Sequence, residues 1–96
     1  MRFEIILAAE AVEDLRKLKA AQRATVREAL ETRLRHEPTK TSRSRIKCLR
    51  GLSRPQYRLS VDEVRMYYDV SGSTVEILAI VAKSEAESWL AQFGEP

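Results

Sequence analysis

The sequence predicts an α+β domain with the order β-α-α-β-β-β-α. It is a mostly antiparallel four-stranded sheet with an N-terminal helical hairpin on one face and a C-terminal helix. Three observations predict it. A short run of β-branched and aromatic residues opens the chain (RFEIIL, 2–7). Two stretches with apolar residues at helical spacing follow with almost no gap. After a polar break come three segments that alternate apolar and polar residues. Ninety-six residues with 44% apolar content make one domain, residues 1–96, around a single core.

Residues 2–7 read as the first strand. A helix is expected from about Ala8, with Val12, Leu15 and Leu18 inward and Glu13, Asp14, Arg16 and Lys17 in solvent. A second helix fits 21–36, with Val26, Ala29, Leu30 and Leu34 inward. So short a connection makes the two an antiparallel pair. Pro38 ends the second helix, because the residue before a proline avoids helical angles. Residues 39–44 (TKTSRS) form a polar surface loop, 45–49 a possible short edge strand, and 51–55 (GLSRP) a turn. Strands are expected at 56–61, 64–70 and 74–82. The first strand pairs with the central region of this sheet. Ser84, with Glu87 three residues on, has the pattern of a helix N-cap. Trp89, Leu90 and Phe93 form the apolar side of the last helix.

The charge is unevenly spread. Residues 40–65 hold eight of the seventeen basic residues and two acids, a local balance of +6; the remaining nine basic and twelve acidic residues give −3. Such a concentration points to a polyanion, either a nucleic acid or an acidic partner protein. The single cysteine, Cys48, excludes an internal disulfide framework and suits a reducing cytoplasm. One His, one Cys and unclustered carboxylates offer no metal ligand set, and no cofactor is expected. There is no secretory signal pattern, and the longest apolar run, 77–82, is too short to cross a bilayer.

Alternation places the chemistry on one sheet face. A two-residue turn at Asp62 and Glu63 pairs Val61 with Val64. Ser60 then lies opposite Arg65, Leu59 opposite Met66 and Arg58 opposite Tyr67. Leu59 and Met66 face the helices. Arg58, Ser60, Arg65 and Tyr67 share the other side. Two guanidiniums match phosphate oxygens in fork geometry, and a tyrosine offers a stacking surface and a hydroxyl. Arg43, Arg45, Lys47, Arg50 and Arg54 are expected to rim this face as a path for RNA phosphates. Cross-strand packing alone also places Arg opposite Tyr, and the basic loop would equally suit an acidic protein segment. His36 reads as a helix-end residue, Cys48 as a small packing residue, and Trp89 as buried against the sheet.

The element order, together with LRGLSRPQYRLSV, VRMYYDV and ILAIVAKSEAESWL, resembles the RelE/ParE superfamily of bacterial toxins over nearly the whole chain. The resemblance implies a toxin of a type II toxin–antitoxin pair, neutralised in a hetero-oligomeric complex by a cognate antitoxin. RelE-type members act on messenger RNA in the ribosome, cutting it through attack of a 2′-hydroxyl on the adjacent phosphate. ParE-type members inhibit DNA gyrase instead. By resemblance, Arg58, Arg65, Tyr67 and Lys83 are the candidate catalytic residues of an mRNA endonuclease in the cytoplasm, with no membrane role. Arg65 would stabilise transition-state charge, and Lys83 matches the basic residue at the end of the last strand. The chain departs from the RelE pattern at Ser60, Ser84 and Leu90, which stand where a Lys, an Arg and a Tyr are found. Those departures admit two other outcomes: a ParE-like gyrase inhibitor without nuclease activity, and a degenerate toxin that only binds its antitoxin.

Overall fold

The computed structural model describes residues 2–96. The chain is α+β, as expected, but the sheet has five strands rather than four. They are β1 (Glu4–Leu7), β2 (Ile46–Cys48), β3 (Tyr57–Val61), β4 (Val64–Ser71) and β5 (Thr74–Ala82), arranged β1-β5-β4-β3-β2. The fifth strand is β2, three residues held in register against β3. That is too short to carry an alternation of its own. β1 runs parallel to β5, and every other pair is antiparallel.

The helices are α1 (Ala9–Lys17), α2 (Ala20–Ala29) and α3 (Lys83–Phe93). α2 continues into a π-helical turn, Leu30–Leu34, closed by the Arg35 N–H donating to the Leu30 carbonyl at 3.0 Å. Both ends of that turn are buried. The widened turn lets the chain place Leu30 and Leu34 inward before Pro38 stops it. In α1 the inward residues are Ala11 and Leu15; Val12, expected in the core, is 41% exposed. Ser84 does not cap α3. The helix begins one residue earlier, at Lys83, with Ala82 at the cap and no side-chain hydrogen bond there.

The core lies between the helical hairpin and one sheet face. Val26, Leu34, Leu59, Met66, Tyr68, Val75 and Ile77 are fully enclosed there. Tyr57 stacks on Tyr68 on that side (5.5 Å between centroids), and the Tyr68 hydroxyl donates to the Pro38 carbonyl at 2.6 Å. Asp14, expected in solvent, instead accepts the Ile80 N–H at 2.9 Å. This ties α1 to β5 where the β4–β5 ladder is irregular. Tyr67 pairs with Ala79 but Tyr68 with Ile77, so Leu78 is an extra residue. The bulge reverses the alternation of β5. Val75 and Ile77 face the hairpin, and so do Ile80 and Ala82 beyond it. Ala79 and Val81 face the other way, beside Tyr67 and Arg65.

Turn chemistry fixes the register. Asp62 adopts a left-handed φ of 51° in the two-residue β3–β4 turn, a conformation Asp tolerates better than most residues. Gly72 does the same at φ 60° between β4 and β5.

Candidate functional site

The face opposite the hairpin carries two rows of side chains. Lys47, Arg58, Tyr67 and Ala79 are successive cross-strand partners from β2 to β5, followed by the row Ser60, Arg65 and Val81. The β3–β4 register is the one the two-residue turn implies. Arg58 and Arg65 are therefore diagonal neighbours on one face, with backbones about 7–8 Å apart. Both are partly exposed and neither lies under the hairpin. Lys47, exposed and directly opposite Arg58, extends the positive row to the sheet edge.

The two guanidiniums are held differently. Arg65 folds back onto its own turn, its Nη1 donating to the carbonyls of Asp62 at 2.8 Å and Val64 at 3.0 Å. Arg58 has its Nε buried without an acceptor among the described residues. A buried guanidinium N–H with no partner is costly, so an incoming oxygen would relieve that cost.

Tyr67 is not the open stacking surface expected from alternation. α3 lies over this part of the face, and the Trp89 ring stacks on Tyr67 with centroids 4.8 Å apart and planes 9° from parallel. Phe93 packs on the far side of Trp89 at 5.4 Å. Tyr67 is 2% exposed, and its hydroxyl donates to the Ala86 carbonyl at 3.2 Å. Burial pushes the phenol above its ordinary value, while the charges of Arg58 and Arg65 pull it the other way. Both arginines therefore act electrostatically on one point beneath α3. Trp89 packs on the sheet as expected but is only half-buried, and its indole N–H has no acceptor among the described residues.

The remaining basic residues divide. Arg43 and Arg50 are exposed in the loops flanking β2. Arg45 does not rim the open face. It lines shallow hollows on the hairpin side with Thr32 and Arg33. Arg54 is engaged: its Nε lies 3.3 Å from Asp69 Oδ2 and its Nη2 3.2 Å from Glu76 Oε1. Its backbone pairs with Glu95, which ties the end of the chain to the loop before β3. Asp69 also accepts the Gln56 N–H at 2.7 Å, and the Gln56 amide oxygen accepts the Val70 N–H. Alternation puts Asp69 on the Tyr67 side, but nothing in the sequence pairs it with Arg54. Lys83 is exposed and opens α3, its N–H donating to the Glu63 carbonyl at 2.7 Å, at the end of the sheet that carries Arg65. Simple alternation along β5 points Lys83 at the core; the bulge at Leu78 removes that objection. Cys48 is exposed at the sheet edge rather than packed, and His36 is exposed at the end of the π-helical turn.

Among the described residues, no three His, Cys, Asp or Glu side chains are placed to hold a metal, and no helix is long and apolar enough to cross a membrane.

No protein-family model matches the chain, and no curated protein matches it either. Solved structures do. The toxin–antitoxin complex RelBE2 from Mycobacterium tuberculosis contains a chain 24% identical, with a TM-score of 0.74, covering 85% of this chain and 99% of that one. The archaeal RelE–RelB complex from Pyrococcus horikoshii OT3 gives 21% identity and a TM-score of 0.71, covering 86% and 97%. A mutant of the E. coli toxin RelE in the free state gives 18% and 0.72, covering 93% and 92%. The chain thus has the RelE-like fold that its sequence resembles.

Proposed function

We propose that this protein is the toxin of a toxin–antitoxin pair and that it cleaves messenger RNA on the ribosome. The carrying observation is that Arg58 and Arg65 share one face of the sheet, in diagonal register, with Lys47 beside them. Two solved structures of this fold are complexes of a toxin with its antitoxin, which supports an antitoxin as the partner here.

In the proposed reaction the 2′-oxygen of one nucleotide attacks the adjacent phosphorus. The 2′-hydroxyl gives its proton to water as its oxygen bonds to phosphorus. The bond to the 5′-oxygen breaks, and that oxygen takes a proton from water, giving a 2′,3′-cyclic phosphate and a free 5′-hydroxyl. Charge accumulates on the non-bridging oxygens, where two forked cations stabilise it. Arg65 and the unpartnered Nε of Arg58 supply them. Lys83 adds charge at the same end of the sheet, while Lys47, Arg43 and Arg50 track the RNA backbone. Tyr67 has its proton committed to the Ala86 carbonyl. It enters the reaction as acid or base only when α3 moves off it.

The test is induction of the protein without its antitoxin, followed by primer extension on ribosome-bound messages. Cuts within the A-site codon, lost in Arg58→Ala and Arg65→Ala, are the expected result. Arrested growth with intact messages would reject the nuclease. A second reading, a non-nuclease inhibitor of DNA gyrase, is favoured by the covering of Tyr67. Purified protein would then block gyrase supercoiling while leaving RNA whole.

A further inference from the structure

A hollow of about 260 Å³ opens between α3 and the sheet, and none of Arg58, Arg65, Tyr67 or Lys83 lines it. Its apolar walls include Leu78, the extra residue of the β5 bulge, and the buried Pro55, with the rings of Trp89 and Phe93 from α3. Phe93 is 48% exposed and presents open aromatic surface. Ile6, 46% exposed, faces the same side from β1, because its neighbours Ile5 and Leu7 pack on the core.

Two carboxylates complete the walls. Glu10 and Glu95 are both exposed, and neither has an ion pair among the described residues. The helix macrodipole accounts for an acid at Glu10, in the first turn of α1. It does not account for Glu95. That residue is fixed here by its backbone, its N–H donating to the Arg54 carbonyl at 2.7 Å. The cation in the walls, Arg54, is already occupied by Asp69 and Glu76. A chain of net charge +3 therefore keeps uncompensated negative charge at one apolar hollow.

We propose that this hollow docks an arginine side chain carried on an exposed apolar segment of a partner protein. Charge complementarity selects the occupant. A guanidinium is planar, stacks on an aromatic ring and gives forked N–H donors to carboxylates. Phe93 supplies the ring, and Glu10 and Glu95 supply the acceptors. The aliphatic stem of the arginine lies along Leu78, and an apolar residue beside it meets Ile6. An RNA strand would set its phosphates against the two glutamates, so the hollow suits a protein and not a nucleic acid. The inference goes beyond RNA cleavage and does not depend on it.

The probe is a blocked short peptide with one Arg between Leu residues, titrated into the isotope-labelled full chain by NMR. Its control carries citrulline, the neutral isostere, in place of Arg. The expected result is shifts at Ile6, Glu10, Leu78, Phe93 and the Trp89 indole N–H, and none at Arg65 or Lys47. The citrulline peptide should bind about tenfold more weakly or worse. Glu10→Gln/Glu95→Gln should weaken the Arg peptide similarly. Both changes are isosteric and at exposed positions, and an unchanged amide spectrum away from the hollow verifies the fold. No shifts at millimolar peptide, equal binding of the citrulline peptide, or full affinity in the double variant would each overturn the proposal. So would displacement by single-stranded RNA, tighter binding of spermidine than of the peptide, or self-association of the free chain through these residues. RNA cleavage is measured separately, so a failed nuclease and a failed docking site give different patterns.

Discussion

Tyr67 of β4 and Trp89 of α3 lie ring on ring, 4.8 Å apart and 9° from parallel. That contact sets the C-terminal helix on the same sheet face as Arg58 and Arg65. Trp89→Ala should hydrate the Tyr67 ring. Burial is the larger influence on its phenol and raises it, while Arg58 and Arg65 lower it. Removing the burial leaves the arginines, so the phenol should titrate at lower pH than in the parent chain. Phenolate absorbance across alkaline pH reads this directly. An unchanged titration would mean that α3 does not shield the ring. Because Trp89 is only partly buried, its loss should cost about 2–3 kcal/mol, less than for a core tryptophan.

Salt dependence separates the basic residues that track phosphates from those that serve the fold. Each phosphate contact on single-stranded RNA contributes about 0.7 to the slope of log affinity against log salt. Lys47→Ala, Arg43→Ala and Arg50→Ala should each flatten that slope by about this amount. Arg45→Ala and Arg54→Ala should not, since Arg45 lies on the hairpin side and Arg54 already faces Asp69 and Glu76. Fluorescence anisotropy with a labelled oligonucleotide over a salt series makes the measurement.

The Arg54–Asp69 pair should be asymmetric in stability. Arg54 is 46% exposed, so its pairing contributes at most about 1 kcal/mol. Asp69→Ala also strands the Gln56 N–H it accepts at 2.7 Å, which should cost about 1–3 kcal/mol. Denaturant unfolding of the two variants should therefore rank Asp69→Ala well below Arg54→Ala. The reverse order would mean that the surface cation, not the backbone bond, holds the loop before β3.

Asp14 accepts the Ile80 N–H beside the β5 bulge. Asp14→Ala leaves a buried backbone donor unpaired and should lower stability by about 1.5–3 kcal/mol. Asp14→Asn keeps an acceptor and should recover part of that. Amide exchange at Ile80 should accelerate in the alanine variant. Protection equal to the parent chain would show that the bond is not maintained in solution.

Tyr68 predicts the alkaline limit of stability. Burial raises its phenol well above the ordinary value of 10.0, with a smaller push from Tyr57. The folded chain then holds the proton more tightly than the unfolded chain. Stability is complete below pH 10 and falls as pH rises past it. Tyr68→Phe should be less stable near neutrality by about 1–2 kcal/mol, because the Pro38 carbonyl loses its donor. Its stability should also decline less steeply in alkali. Parallel alkaline curves for the two proteins would exclude Tyr68 as the titrating group.

Much of the fold was legible in the sequence. Period-two alternation and the two-residue turn at Asp62 set the partners of Arg58 and Arg65, because a register slip would have moved Leu59 and Met66 out of the core. Helical spacing located the hairpin, and Pro38 its end. The short β2 was ambiguous, since three residues acquire strand geometry only from the neighbour they pair with. The outward Val12 was misread because helical spacing marks an apolar stripe but not its centre.

The site was legible only as an arrangement of residues on a face. Local rules of alternation, turn geometry and proline sterics act between near neighbours, so the sequence by itself determined which side chains share the Arg58 side. What covers that side depends on contacts between residues far apart in the chain. Tertiary structure alone decided that α3 lays Trp89 over Tyr67, that Arg54 is occupied by Asp69 and Glu76, and that a bulge at Leu78 reverses the second half of β5. Each is a long-range choice made by packing and charge pairing, which no local pattern encodes.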